Sequence, residues 1–371
     1  MSDTLKIALL VKEFSQTGGM ERYVVELAKG LRDRGHEVHI YASRADQELL
    51  PGFELHQVPA RNVFSSVLKA LAFARDTAKM LEGASFDIVH SHERGYRQDI
   101  LTVHCFSYKE GIAKYSLLRR IDQKYLSLRG ALYLWLERRQ MESPWLVAVS
   151  RIIAEDIKKQ YGRSANVSVI HPGADTAFFS PEAILPLRKK ARAAAGYGEH
   201  ELVILFVGSE FRRKGLDRLI RTIGPGMRLL VVGRGDDWPY HRQLVARHGL
   251  EKQVSFAGLA SNVLPHYAAA DVVALPSRSE AFGMSVLEGM ACGLPVIVSD
   301  NAGVASLIRH GENGYLSHTG SELASLLGQL QNRDLRRRLG QAARVTAEDY
   351  SWGRVAALHE ELYRRVVADK G

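Results

Sequence analysis

Two cysteines, Cys105 and Cys292, are all that the 371 residues hold. They are too few and too isolated for a disulfide framework or a thiolate zinc site. The fourteen histidines form no HxxxH or similar ligand spacing, so the sequence predicts no metal. No run of eighteen apolar residues occurs, which excludes an expected membrane span, and residues 1–6 lack the apolar stretch of a secretion signal. The expected place is the cytoplasm. Nor is there an RNP, KH or helix-turn-helix pattern, so nucleic acid is not an expected partner. Acidic residues are the minority, 41 against 50 Lys and Arg, for a net charge of +9. That excess suits an anionic partner without choosing among them.

What is present is enough apolar content, 46% over this length, for two cores. Residues 5–11 (LKIALLV) predict a buried strand and 20–31 an amphipathic helix, with Gly18-Gly19 in the turn between and a strand over 37–41. Glycines at such a turn let the backbone approach a phosphate, or merely close a tight turn. A helix over 64–81 follows, then strands over 86–90 and 99–104, each ending in a histidine, His90 and His104. Strands over 145–150 and 166–171 complete a first alternating half. The segment up to Glu201, with Pro181 and Pro186, reads as a linker.

The second half alternates again. Strands are expected over 202–207, 227–232 and 253–257, and helices over 216–223, 240–248 and 262–269. Its first turn is Gly208-Ser209-Glu210-Phe211-Arg212-Arg213-Lys214-Gly215. Three adjacent cations before a helix suit a diphosphate, since Arg forks two oxygens and Lys adds a point charge; a solvated basic turn is the alternative. Amphipathic helices over 321–338 and 352–367 close the chain and show no chemistry.

The most informative stretch runs from Ser279 to Ala291. An apolar strand (271–277) enters it, Gly293-Leu294-Pro295 ends its helix, and Val296-Ile297-Val298 resumes a strand. Glu280 then stands in a loop at the carboxyl edge of a parallel sheet, and Glu288 one or two turns into the helix, with Phe282-Gly283-Met284-Ser285 between them at the helix start. Carboxylates accept from hydroxyls and a helix start holds phosphate, so the layout suits a nucleotide sugar. The competing reading makes both glutamates solvated surface residues.

Residues 108–140 differ in texture. Lys109, Lys114, Arg119, Arg120, Lys124, Arg129, Arg138 and Arg139 interleave with Tyr115, Tyr125, Tyr133, Trp135 and several leucines. Such helices suit an anionic membrane surface, or form an ordinary core-facing pair with a solvated basic face.

In this order, Gly18-Gly19, Val147-Ala148-Val149-Ser150, His171-Pro172-Gly173-Ala174-Asp175, Arg213-Lys214-Gly215 and Glu280-x7-Glu288 with Gly289-Met290-Ala291-Cys292-Gly293-Leu294-Pro295-Val296 resemble the retaining glycosyltransferases of family 4 over nearly the whole chain. The resemblance implies an α/β chain of GT-B fold, two facing Rossmann-like doubly wound parallel-sheet domains. Residues 1–172 would form the acceptor domain, with the 352–371 helix packing back on it, and 173–351 the donor domain.

It further implies roles. Arg213 and Lys214 would neutralise the departing nucleoside diphosphate, Glu280 would bind the donor sugar, and Glu288 the ribose hydroxyls. Phe282, Gly283, Met284 and Ser285 would contact sugar and phosphates, and Gly18 and Gly19 the donor phosphates or the acceptor. His104 would reach the sugar, and the Val263 backbone the base. No metal or other cofactor is implied beyond a nucleotide-sugar co-substrate, a UDP-sugar in this pattern. The family often has Arg directly after the glycine that ends the first donor-domain strand; here that position is Ser209, which leaves open whether Arg212 or Arg213 meets the diphosphate.

Within the family, the 12–22 and 207–218 stretches look like the lipopolysaccharide-core glucosyltransferases, which implies UDP-glucose as donor, a glycolipid or oligosaccharide acceptor and a peripheral place on the inner membrane face through 108–140. GDP-mannose with another lipid or soluble acceptor, and a membrane-docking scaffold without turnover, are the alternatives.

Overall fold

The structure, a computed structural model, describes residues 4–61, 65–113, 128–235 and 237–370. It divides into two compact units, Met1–Pro172 with Trp352–Gly371, and Gly173–Ser351.

The first unit contributes β1 (Lys6–Leu10), β2 (Glu13–Phe14), β3 (Glu37–Ala42), β4 (Arg44–Ala45), β5 (Glu54–Gln57), β6 (Ile88–Ser91), β7 (Ile100–Val103), β8 (Trp145–Ala148) and β9 (Val167–Val169). Seven of these pair in the order β5-β3-β1-β6-β7-β8-β9, all parallel, and β2 pairs with β4 apart from them. Ile7, Ala8, Leu9 and Leu10 are all buried, as a central strand covered on both faces requires. The helix Gly19–Asp33 buries Val24, Val25, Leu27, Ala28 and Leu31, and the last helix, Trp352–Lys370, packs against it.

That last contact is partly polar. The Tyr23 hydroxyl donates to His359 Nε2 at 3.2 Å, because His359 Nδ1 donates to the Val355 carbonyl at 2.9 Å and leaves Nε2 as the acceptor. His90 lies between the Tyr363 and Thr102 hydroxyls, 2.7 Å from each. His92 Nδ1 meets His104 Nε2 at 3.0 Å. Burial lowers the pKa of all four histidines, His359 to about 4 and His104 to about 3.

The second unit contributes β10 (Leu202–Val207), β11 (Met227–Val232), β12 (Val254–Gly258), β13 (Val272–Leu275), β14 (Val296–Ser299) and β15 (Tyr315–Ser317). Their order is β12-β11-β10-β13-β14-β15, again all parallel. Both units are therefore doubly wound.

Several expectations need correction. The segment taken for a linker holds a helix, Pro181–Ala195, capped by Ser180 and ended by Gly196 with φ +71°. Pro181 favours that helix rather than breaking it, because a first-turn proline lacks only an amide that would be unpaired anyway. Arg188 and Arg192 then bind Asp271 and the carbonyls of Ala268, Ala269 and Ala270, which makes the helix part of the second unit. The expected 321–338 helix is two, Gly320–Gln329 and Arg333–Glu348, the second capped by Asn332. Strands β5 and β15 went unread because each is short and neither is a continuous apolar run.

Of the basic 108–140 stretch, the helices Tyr108–Ala113 and Leu128–Gln140 are seen; Lys114, Tyr115, Arg119, Arg120, Lys124 and Tyr125 lie outside the described residues. Trp135 is exposed with Arg139 over its ring, while Leu136 is buried. Among the described residues no helix is long and apolar enough to cross a membrane.

The four buried histidines make the first unit sensitive to acid. They are neutral in the fold but titrate near 6.5 in an unfolded chain, so their stabilisation is complete above that pH and is lost as pH falls toward 4. Hydrogen-exchange protection of the last helix should be level from pH 8 to 7. Below about 6.5 it should fall by up to about 1.4 kcal/mol per pH unit for each histidine titrating, and His359→Gln should flatten the slope. Protection that ignores pH down to 5 would refute this.

Candidate active site

In a doubly wound sheet the strand order reverses at one point, and the loops leaving the two strands on either side part there to form a crevice. In the second unit that point lies between β10 and β13, so the two loops are 208–215 and 276–283. These are the stretches that carry the predicted cations and Glu280.

The 208–215 loop is shaped by its glycines. Gly208 takes φ +152° and Gly215 φ +79°. A Cβ on Gly208 would collide with Lys214, whose Cδ, Cε and Nζ lie 2.7 to 3.0 Å from where it would sit; the lysine therefore folds back over its own loop. A Cβ on Gly215 would run into the Pro276 carbonyl, so glycine there lets the two loops touch. Arg278 ties them further. Its amide donates to the Arg213 carbonyl at 2.8 Å, and its guanidinium forks both oxygens of Asp217 at 2.7 Å while also reaching the Arg212 carbonyl. Burial would raise the Asp217 pKa, but the Arg278 fork outweighs it and the carboxyl sits below its usual value.

Where the loops meet, one oxygen of Glu280 receives two cations, Lys214 Nζ at 3.0 Å and an Arg213 nitrogen at 3.3 Å. Arg213 also donates to the Ser279 carbonyl at 2.6 Å and to Glu210 at 2.7 and 3.0 Å. Glu280 is 8% exposed. Burial pushes its carboxyl up, but the charges of Lys214 and Arg213, with a hydrogen bond from the Phe282 amide, hold it below the usual range. Arg212 turns elsewhere: it is exposed, 3.7 Å from Asp237 and over the Tyr240 ring. Of the two arginines left open by the sequence, Arg213 is the one beside Glu280.

The loop after β14 fixes the glutamate's backbone. The Glu280 amide donates to Asn301 and its carbonyl accepts from Gly303, both at 3.0 Å. Gly283, φ +106°, opens the helix Met284–Ala291, which has no side-chain cap at that end. Four residues into this helix stands Glu288, 4% exposed, 2.8 Å from the hydroxyl of fully buried Tyr267. The same hydroxyl lies 2.9 Å from the Ser285 carbonyl, so one tyrosine positions two of the predicted residues. Neither glutamate is a solvated surface residue. Val263 opens the helix Leu264–Ala269 that carries Tyr267, its carbonyl accepting from the His266 and Tyr267 amides.

In the first unit the order reverses between β1 and β6. Lys12, after β1, pairs there with Glu93, after β6. Gly18 is extended at the start of the helix Gly19–Asp33, and the Glu21 carboxylate occupies the space a Gly18 side chain would take. His104 follows β7, beside His92 and edge-on to Tyr23 at 5.0 Å. With a pKa near 3, it can share a hydrogen bond at neutral pH but carries no charge.

Sequence reasoning missed Tyr267, Arg278, Lys12, His92 and Glu93. Arg278 and the first-unit three stood at strand ends and could have been found by that position. Tyr267 lies in an apolar helix and gave no signal.

The profile of the Glycosyl transferases group 1 matches residues 188–346, and that of Glycosyltransferase Family 4 residues 17–178. The chain is 30% identical over 393 residues to the D-inositol 3-phosphate glycosyltransferase of Xylanimonas cellulosilytica, covering 93% of this chain and 91% of that protein. It is 24% identical over 379 residues to the N-acetyl-alpha-D-glucosaminyl L-malate synthase of Bacillus anthracis, covering 98% of each. The crystal structure of WaaG, a glycosyltransferase involved in lipopolysaccharide biosynthesis, superposes with a TM-score of 0.82 at 24% identity, over 96% of this chain and 99% of that one. At that identity the likeness is one of fold, and it bears out the expected pair of Rossmann-like parallel-sheet domains.

Tyr267→Phe deprives the buried Glu288 carboxylate of one donor. It should destabilise the second unit by about 1–3 kcal/mol in urea unfolding, the range for a hydrogen bond to a buried charged acceptor. No measurable change would mean that the Tyr267 hydroxyl does not support Glu288.

Proposed function

The chain belongs to the glycosyl transferases of group 1, with a family 4 N-terminal domain, and from that premise we propose that it moves a hexosyl group from a nucleoside-diphosphate sugar to an acceptor hydroxyl with retention at the anomeric carbon. The observation that carries the donor assignment is the Glu280 oxygen shared by Lys214 and Arg213. Two cations share one buried carboxylate, and with the exposed Glu210 on Arg213 the cluster is balanced, so what a ligand must bring is a stronger anion. An incoming diphosphate is one, and as Lys214 and Arg213 turn to the phosphates, Glu280 is released to accept hydrogen bonds from the sugar. Glu288, held by Tyr267, takes the ribose hydroxyls, and the Phe282, Gly283, Met284 and Ser285 backbone takes the sugar and phosphates.

As the bond between the anomeric carbon and the phosphate oxygen lengthens, its electron pair moves onto the diphosphate. Arg213, Lys214 and the start of the helix Met284–Ala291 stabilise that charge. The acceptor oxygen bonds to the anomeric carbon on the face the diphosphate leaves, and its proton passes to the leaving phosphate. The charge is met by side chains, so the proposed reaction needs no metal.

The proposed donor is UDP-glucose and the proposed acceptor a lipopolysaccharide-core or related glycan, supported by the motifs at 12–22 and 207–218. The exposed Trp135 with Arg138 and Arg139 supports contact of that region with an anionic membrane. A second reading is favoured by the relatives themselves, two of which are named for transfer to inositol 3-phosphate and to L-malate: a small anionic acceptor, with the basic surface drawing it in.

Calorimetric titration of UDP, GDP and ADP into the wild type and Glu288→Ala tests the donor. Tight UDP binding that the substitution weakens supports the uridine donor; tight GDP binding moves the donor to a GDP-sugar; no nucleotide binding removes the site and leaves the scaffold. Lys214→Ala should lower kcat by about 10²–10³-fold with the fold intact. A kcat within a few-fold of wild type would take Lys214 out of the mechanism.

A further inference from the structure

No spacing along the chain joins His39 to His56, yet the fold does. Strands β3 and β5 lie at one edge of the first sheet in parallel register, His39 opposite Glu54 and Tyr41 opposite His56. Alternation along the strands then puts Glu37, His39, Glu54 and His56 on one face.

Their side chains converge. His39 Nδ1 and His56 Nε2 are 2.8 Å apart, and the Glu54 carboxylate lies 3.4 Å from each of these nitrogens. Three ligand atoms, one from each residue, lie within 4.8 Å of one another. A tetrahedral zinc with bonds of about 2.0–2.1 Å has ligand–ligand edges of about 3.3 Å. Each Glu54 oxygen already lies about one such edge from one imidazole, Oε2 from His39 Nδ1 and Oε1 from His56 Nε2, and the imidazoles need to part by only about 0.5 Å.

The surroundings favour the same use. His39 Nε2 donates to Glu37 at 2.7 Å, so neutral His39 carries its lone pair on Nδ1, the atom that faces the other two ligands. A carboxylate behind a histidine is how metal sites fix the ligand's tautomer and raise its basicity. Both rings are placed by packing: His39 edge-on to Phe86 at 5.0 Å, His56 stacked on Tyr41 at 4.3 Å. On the outer side the His56 and Glu54 side chains are 27% and 64% exposed, which gives an ion a way in and leaves a fourth position for water.

We infer that His39, Glu54 and His56 form a binding site for zinc or a similar divalent transition ion, with Glu37 orienting His39. The site is structural rather than catalytic. It lies within the strands, away from the carboxyl edge that carries Lys12 and Gly18, and it clamps β5, which has a sheet neighbour on one side only, to β3. The sequence expectation of no metal rested on linear spacing, to which a site assembled across two strands is invisible.

The test uses the full chain, stripped with a chelator and titrated with zinc chloride by calorimetry, with thermal unfolding in parallel and cobalt(II) absorption as a probe of geometry. Wild type should take up one zinc at this site with a raised melting temperature, and cobalt should show the intense visible bands of a tetrahedral site. His56→Ala should abolish both effects. Glu37→Gln should weaken binding by about 10–100-fold, the usual effect of losing a histidine's outer partner. Glu54→Gln, at an exposed position that leaves folding untouched, should remove the tetrahedral cobalt spectrum even if His56→Ala proves unstable. Absence of zinc binding in the wild type, or equal affinity in wild type and Glu54→Gln, overturns the proposal.

Discussion

A carboxylate buried as deeply as Glu280 is stable as an anion only if the fold brings it positive charge, because leaving water costs it several kcal/mol. Much of the second unit's local structure follows from meeting that demand. Arg213 and Lys214 must arrive from another strand's loop, so 208–215 has to fold back toward 276–283. Gly208 lets Lys214 lie over the chain, and Gly215 lets the backbone pass against Pro276. Arg278 and Asp217 then fasten the loops with a second ion pair. The strand-order reversal between β10 and β13 leaves room at that edge. Lys214 and Arg213 are thereby held at that edge of the sheet by Glu280.

Sequence reasoning reached the parts of this that are local. Parallel strands covered on both faces are continuous apolar runs, so β1, β10, β11 and β13 were legible, and so were the loops that follow β10 and β13. Turns rich in glycine and cations, and a glutamate between a strand and a helix, announce themselves within a dozen residues. The unread features depend on distant partners. Tyr267 looks like core until Glu288 is placed beside it. The helix Pro181–Ala195 looks like a linker until Asp271 is seen to hold Arg188 and Arg192. Strand β5 has too few apolar residues to declare itself, and takes its identity from pairing with β3.

The first unit solves a different problem. The four histidines of its seam, His90, His92, His104 and His359, are placed against hydroxyls, a carbonyl and one another. In that company a proton has no compensation, which is why burial drives every one of the four toward neutrality. The benefit is a hydrogen-bonded seam that joins the last helix to the first helix and to β6 although more than 250 residues separate them in sequence. The last helix is thereby part of the first unit's core rather than an appendage to it, with Tyr363 and Leu362 as buried as any strand residue.

The histidine seam and the Glu280 cluster thus place ionisable groups in opposite ways. At the Glu280 cluster opposite charges are packed together, and under the proposed reaction a stronger anion, the diphosphate, would exchange with a weaker one: Glu280 would be the exchangeable partner, and its affinity for Lys214 and Arg213 would set how much the incoming phosphates must supply. Too tight a pair would exclude the ligand, and too loose a pair would leave the cations disordered. Glu210 binds Arg213 at 2.7 Å from an exposed position, and in the proposed exchange it would keep the guanidinium oriented while Glu280 lets go. His104, a buried imidazole kept neutral, lies 3.0 Å from His92 and can share a hydrogen bond without attracting a counter-ion. The same pairing of residue with environment decides the edge of the first sheet: among the described residues only His39, Glu54 and His56 combine lone pairs, close approach and access from solvent in the way a metal ion requires.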